Sequence, residues 1–203
     1  MSIVDVDVLS TETHALADVL GADRLVVTRQ VHGADVVCSD QITPKTEADA
    51  IVVAEPGVAA LVRVADCTPI ALADPDRALA AVVHAGRAGL VAGVVPAAVD
   101  AMRSAGAERL VAVVGPRVCG RCYELSAELA DSVAAAVPQA RSTTSWGTPA
   151  ADVGAGVIAQ LESRDVEVRD VGADQCTVEN EHWFSYRRQG EAAGRFGIAV
   201  VLV

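Results

Sequence analysis

Apolar residues run along this chain in short blocks separated by polar or Gly- and Pro-marked turns. Leu25–Thr28, Ala50–Ala54, Val58–Ala65, Pro69–Ala73, Leu79–His84, Leu110–Gly115, Val166–Val171 and Ile198–Val203 are rich in Val, and several are apolar at nearly every position. A block apolar on both faces is the pattern of a strand covered on either side. From Ala88 to Ala105 apolar positions recur at helical spacing, with Gly106 as the stop. Tyr123–Ala136 and Ala151–Ser163 also read as helices, and Asp152 is placed to cap the latter. The strands between Ala50 and His84 follow one another through short turns, which predicts an antiparallel or mixed sheet that later helices cover. The class expected is α+β, built in layers. Gly154-Ala155-Gly156 is not a GxGxxG and follows no convincing strand, so a Rossmann fold is not expected. No repeat, low-complexity tract or linker interrupts the pattern, and residues 1–203 read as a single domain.

Composition sharpens the picture of the core. Hydrophobic residues make up 52% of the 203 positions but aromatics only 3%, so Ala, Val and Leu must fill it by close packing. A formal net charge of −11 argues against a nucleic-acid or anionic membrane surface. No apolar run approaches the ~20 residues that span a bilayer, and Met1-Ser2-Ile3-Val4-Asp5 lacks the basic start of a secretory signal. The expectation is a cytoplasmic protein. Its five cysteines, an odd number, read as thiols or metal ligands rather than disulfides.

Candidate chemistry sits where apolar blocks meet turns. His32, Cys67 and His84 each occupy such a place, in Gln30-Val31-His32-Gly33, Asp66-Cys67-Thr68-Pro69 and His84-Ala85-Gly86. Two imidazoles and a thiolate make a zinc site with an open fourth position. Each residue alone also has a structural reading, as a turn histidine or an inert buried cysteine. Gln30 can face a substrate or satisfy a backbone group. Asp66 can orient a ligand imidazole or move protons. Arg187, Arg188 and Arg195 concentrate positive charge between two apolar segments, a local anion site in an acidic protein or a solvated loop. Cys119-Gly120-Arg121-Cys122 is a lone C-x-x-C. With no second pair it does not predict a zinc knuckle, and it comes too late in the chain for a thioredoxin-like dithiol.

Taken together, these stretches resemble a known family. QVHGADVV, EADAIVV, VRVADCTPIALAD, AVVHAGRAGLVAGV, GPRVCGRCYEL, QCTVEN and FSYRRQG with GRFG occur in the order of the bacterial multicopper polyphenol oxidase, or laccase-domain, family. The same family goes under the names purine nucleoside phosphorylase and peptidoglycan-editing factor. The resemblance runs from about Val26 onward. It implies an α/β/β/α sandwich similar to cysteine hydrolases of the cytotoxic-necrotizing-factor type. It implies zinc on His32, Cys67 and His84, and a pocket for purine nucleoside and phosphate that supports phosphorolysis and adenosine deamination. It further implies copper-dependent phenol oxidation and the editing of a muropeptide nucleotide precursor. Four histidines are too few for a trinuclear copper cluster plus a type-1 site, which counts against the oxidase reading. Where the family has His-Ala-Gly-Trp-Arg-Gly, this chain has Arg87 in place of the Trp and Ala88 in place of the Arg.

Overall fold

A computed structural model describes residues 2–5 and 12–202. Met1, and Val203 at the end of the last expected strand, lie outside them. The strands are β1 (Ser2–Asp5), β2 (Arg24–Val26), β3 (Val36–Cys38), β4 (Ala50–Val53), β5 (Val58–Val64), β6 (Thr68–Asp74), β7 (Leu79–Ala85), β8 (Val111–Val114), β9 (Arg141–Thr143), β10 (Pro149–Ala151), β11 (Glu167–Asp170) and β12 (Phe196–Val201). The helices are α1 (Glu12–Leu20), α2 (Arg87–Ala92), α3 (Val94–Ser104), α4 (Ala127–Ala136), α5 (Val153–Glu162) and α6 (Tyr186–Gln189).

A six-stranded mixed sheet runs β11-β8-β6-β7-β4-β3, a four-stranded one runs β1-β12-β5-β2, and β9 and β10 form a separate ribbon. Strand alternation builds the layers. On β4, Ala50 and Val52 face the helices while Ile51 and Val53 face the second sheet, and on β7 Ala81 and Val83 alternate with Ala80 and Val82 in the same way. Val58, Ala60 and Val62 of β5 and Ile198 and Val200 of β12 close that inner core from the other sheet. Leu90, Val95, Val99, Met102, Val157 and Leu161 from the helices cover the outer face of the larger sheet. Leu61 and Ala199 point the opposite way, toward Leu16 and Leu20 of α1.

Every core strand read from the sequence is present within a residue or two. Three expectations need correction. First, β5 does not lie between β4 and β6; it crosses to the smaller sheet and pairs with β12 and β2. Second, the expected helix from Ala88 to Ala105 is two helices. Gly93 sits between them at φ 86°, a left-handed conformation open to glycine, and apolar periodicity does not register that break. Third, the expected helix from Tyr123 starts only at Ala127, where the Ser126 hydroxyl accepts from Leu129 N. Asp152 caps α5 as expected, accepting from Ala155 N at 2.8 Å.

The registers place one end of the large sheet at the centre of interest. Ala50 of β4 pairs with Val83 of β7, and Pro69 of β6 pairs with His84. Val114 of β8 pairs with Ile70, and Asp170 of β11 with Val114. Val36, at the start of β3, pairs with Ala50. The segments before β3, β4 and β6 and after β7, β8 and β11 therefore all open at the same edge.

Candidate metal centre and anion cleft

His32, Cys67 and His84 meet at that edge. Their ligand atoms lie within 4.8 Å of one another. Cys67 Sγ is 3.7 Å from His32 Nε2, and the two imidazoles meet edge to face with centroids 4.7 Å apart. His84 ends β7 and Cys67 immediately precedes β6, so the β6–β7 ladder itself sets these two side by side. His32 comes from the turn ahead of β3, in a left-handed conformation with φ 59°, which a non-glycine residue holds only when its surroundings fix it.

Asp49 is what fixes it. Its carboxylate accepts from Val31 N, His32 N and Gly33 N at 3.2, 3.0 and 2.7 Å. It also accepts from His84 Nδ1 at 2.7 Å. That bond keeps the proton on Nδ1 and makes Nε2 the nitrogen that faces Cys67 and would bind a metal on losing its own proton. One fully buried carboxylate therefore orients two of the three ligands. Burial works against its charge, yet the bonds from His84, Gly33 and Val31 outweigh this and hold its pKa below the ordinary value. Sequence reasoning missed Asp49; its signal was a charged residue set directly against the apolar strand Ala50–Val53.

The cluster is chemically activated. Burial opposes a charged Cys67, but hydrogen bonds from His32 and His84 and their charge bring its pKa down to about 7. For His84 burial is likewise outweighed, by bonds to Asp49 and Cys67, and its pKa rises to about 9. Gly86 closes the site on one side. A Cβ there would stand 2.7 Å from His32 Cδ2 and 3.1 Å from Cys67 Sγ.

The donor set fits a divalent transition metal. Imidazole nitrogen with thiolate sulfur suits zinc, and copper as well. Tetrahedral zinc bonds of about 2.0 and 2.3 Å set nitrogen and sulfur ligands ~3.5 Å apart, close to the observed 3.7 Å. Three protein ligands leave a fourth position for a reactant.

The other anticipated residues divide. Asp66 adjoins Cys67, but its oxygens accept from Thr177 Oγ1 at 2.6 Å and Arg187 N at 2.7 Å, so the imidazole partner is Asp49 instead. Gln30 is occupied by the backbone: its Nε2 donates to Arg63 O and its Oε1 accepts from Arg63 N. Of the three arginines Arg187 is the least tied to carbonyls: its guanidinium lies 4.7 Å above the Tyr123 ring and donates once, to Glu124 O at 3.1 Å. Arg188 donates to the carbonyls of Thr177, Val178, Asn180 and Trp183. Arg195 donates to the carbonyls of Ala193 and Gly194. Both are loop braces rather than free anion ligands.

Arg87, where the resemblance implied Trp, opens α2. Burial and the nearby Cys67 charge raise the Tyr123 pKa, opposed by the charges of Arg87 and Arg187 and a hydrogen bond from Arg87. Arg187 lies over the phenol ring, and Arg87 comes right after Gly86. No helix among the described residues is long and apolar enough to cross a membrane.

The chain is 52% identical over 185 residues to a purine nucleoside phosphorylase of Streptomyces coelicolor, covering 86% of this chain and 76% of that protein. It is 44% identical over 185 residues to one of Mycobacterium tuberculosis, covering 89% and 73%. Its fold matches the crystal structure of a DUF152 protein of Neisseria meningitidis with a TM-score of 0.81 at 28% identity, over 93% of this chain and 78% of that one. The pattern of the multi-copper polyphenol oxidoreductase laccase family matches residues 5–203, and the chain belongs to that family.

Proposed function

We propose that the chain is a metal-dependent enzyme of purine nucleosides whose main reaction is phosphorolysis. The observation that supports this best is the His32–Cys67–His84 cluster, a candidate metal centre, together with the Arg187 guanidinium over Tyr123. The names of the relatives supply the substrate class. A zinc ion on the three ligands would supply a Lewis acid next to the reacting centre.

The chain's own residues do the rest. Arg87 and Arg187 hold phosphate, and their charge offsets the acidic field of the protein. Tyr123, kept protonated by burial and by Cys67, offers its phenol O–H to the bound reactant. Asp66 is a positioning residue, fixing the Arg187 backbone at the cleft mouth. Asp49 keeps His84 in one tautomer. In phosphorolysis a phosphate oxygen bonds to ribose C1′, the C1′–N9 bond breaks, and the leaving base takes up the proton that the phosphate loses.

The test incubates zinc-loaded protein with inosine or adenosine, with and without phosphate, and measures free base and ribose 1-phosphate. Phosphate-dependent base release that disappears in Cys67→Ala is expected. No product above that variant overturns the proposal, and phosphate-independent inosine from adenosine would instead identify a deaminase. Copper oxidation has less support, because among the described residues the cluster brings together two histidines, His32 and His84, too few for several copper centres.

A second reading has one specific observation in its favour. Cys67 with a pKa near 7, two histidines beside it and Asp49 behind His84 reproduce the geometry of a Cys-His-Asp nucleophile. A cysteine hydrolase would gain activity on metal chelation, whereas the metal enzyme loses it. The muropeptide-nucleotide role would use the same cleft, and an assay with such a precursor in place of the nucleoside tests it.

A further inference from the structure

We propose that Cys119, Cys122, Cys176 and Glu179 form a second metal centre, a structural site for zinc or a similar thiophilic divalent ion. It staples the two loops that frame the first site. The four ligand atoms come from the segments after β8 and after β11, and all lie within 4.8 Å of one another.

The local geometry is that of a ligand nest. Cys119-Gly120-Arg121-Cys122 closes a tight turn in which Cys122 N and Tyr123 N both donate to Cys119 O, at 3.0 and 3.1 Å. In the partner loop Asn180 N donates to Cys176 O at 2.9 Å, a helical turn that sets Cys176 and Glu179 on one face. The loops then meet: Cys119 N donates to Cys176 Sγ at 3.4 Å, and Cys122 Sγ donates to Glu179 Oε1 at 3.4 Å. Cys122 and Cys176 are 6% exposed, which is dry enough to favour a coordinated thiolate over a hydrated one. A surface cavity of ≈ 290 Å³ reaches Cys119, Cys176 and Glu179 and gives an ion a way in.

Disulfide chemistry explains this group less well. Three thiols cannot pair off, and a carboxylate has no part in a disulfide. Burial and the neighbouring thiols push the Cys119 and Cys122 thiols up from their ordinary value, with Glu179 adding to the effect at Cys122. A divalent cation at the centre reverses that balance. Loading it releases the thiol protons to water and leaves three thiolates and one carboxylate around the ion.

The consequence reaches the first site. Tyr123 follows Cys122 directly, and Thr177, which donates to Asp66, follows Cys176 directly. The staple is a positioning device for both.

The test uses the full chain and does not depend on catalysis, so it stands or falls separately from the phosphorylase proposal. Metal analysis of protein grown with zinc is expected to give about two ions per chain, falling to about one in Cys176→Ser and to about one in Cys67→Ala. Because Cys176→Ser can fail to fold, wild-type protein is also alkylated with iodoacetamide and mapped by mass spectrometry. Cys119, Cys122 and Cys176 are expected to be protected until a chelator is added, while exposed Cys38 reacts at once. Two results overturn the proposal: a single ion that disappears wholly with Cys67→Ala, or labelling of these three thiols at the rate of Cys38 in zinc-loaded protein.

Discussion

Gly86→Ala isolates the metal centre from everything else. Gly86 has φ −80° and ψ 173°, a conformation alanine adopts freely, so the backbone contributes no strain. The added methyl would lie 2.7 Å from His32 Cδ2 and 3.1 Å from Cys67 Sγ. Carbon contacts relax at about 3.5–4.0 Å, so the His32 ring must retreat by roughly 1 Å. That exceeds the ~0.2 Å tolerance of a metal–ligand bond several times over. His32 cannot follow with its backbone, because Asp49 holds three successive N–H groups of its turn. The variant should fold, at an overpacking cost of about 1–3 kcal/mol, which lowers Tm by about 2–10 °C for a chain this size. Its zinc affinity, measured by chelator competition, should fall at least tenfold to a hundredfold. Wild-type zinc affinity in Gly86→Ala would refute the geometry of the site.

Six other substitutions separate the roles assigned here. Asp49→Asn leaves one acceptor oxygen for four donors; chelator competition should show a tenfold to hundredfold loss of metal affinity, whereas Asp66→Asn should leave metal affinity intact and raise the KM for phosphate. Arg87→Ala and Arg187→Ala should each raise that KM by about tenfold to a hundredfold, a charged hydrogen bond of ~1.5–3 kcal/mol, with nucleoside KM little changed. Arg188→Ala removes four bonds to carbonyls and should reduce stability by about 2–3 kcal/mol in urea melts. Backbone donors from Glu108, against an opposing burial effect, and then from Asp76 and Arg109 depress the Asp74 pKa below 3.8. Its carboxylate thus stabilises the fold above about pH 4 and ceases to as pH falls through the lowered value; Asp74→Asn should flatten the acid limb of stability against pH.

What the sequence revealed follows from the range over which each signal acts. Strands β4, β6 and β7 are legible because burial on both faces writes a continuous apolar run into the chain. The three residues of the candidate metal centre are legible because each falls near the abrupt end of such a run. Gly93 splits α2 from α3 without disturbing the apolar spacing, so the break is invisible. Asp49 carries no motif of its own; its importance lies in donors from residues 31–33 and 84, which only the β4–β7 register delivers. Arg187 and Arg188 are chemically identical in the sequence, and only the structure shows that Arg188 is held by four carbonyls between Thr177 and Trp183 while Arg187 gives one bond, to Glu124 O. The lone C-x-x-C looked incomplete because Cys176 lies 57 residues beyond Cys119.

The most direct measurement is anomalous diffraction at the zinc edge from crystals grown with zinc. The account predicts a peak about 2.0–2.3 Å from His32 Nε2, His84 Nε2 and Cys67 Sγ together, with Asp49 still on His84 Nδ1. Zinc bound elsewhere, with those three side chains turned away from any shared ion, would contradict it.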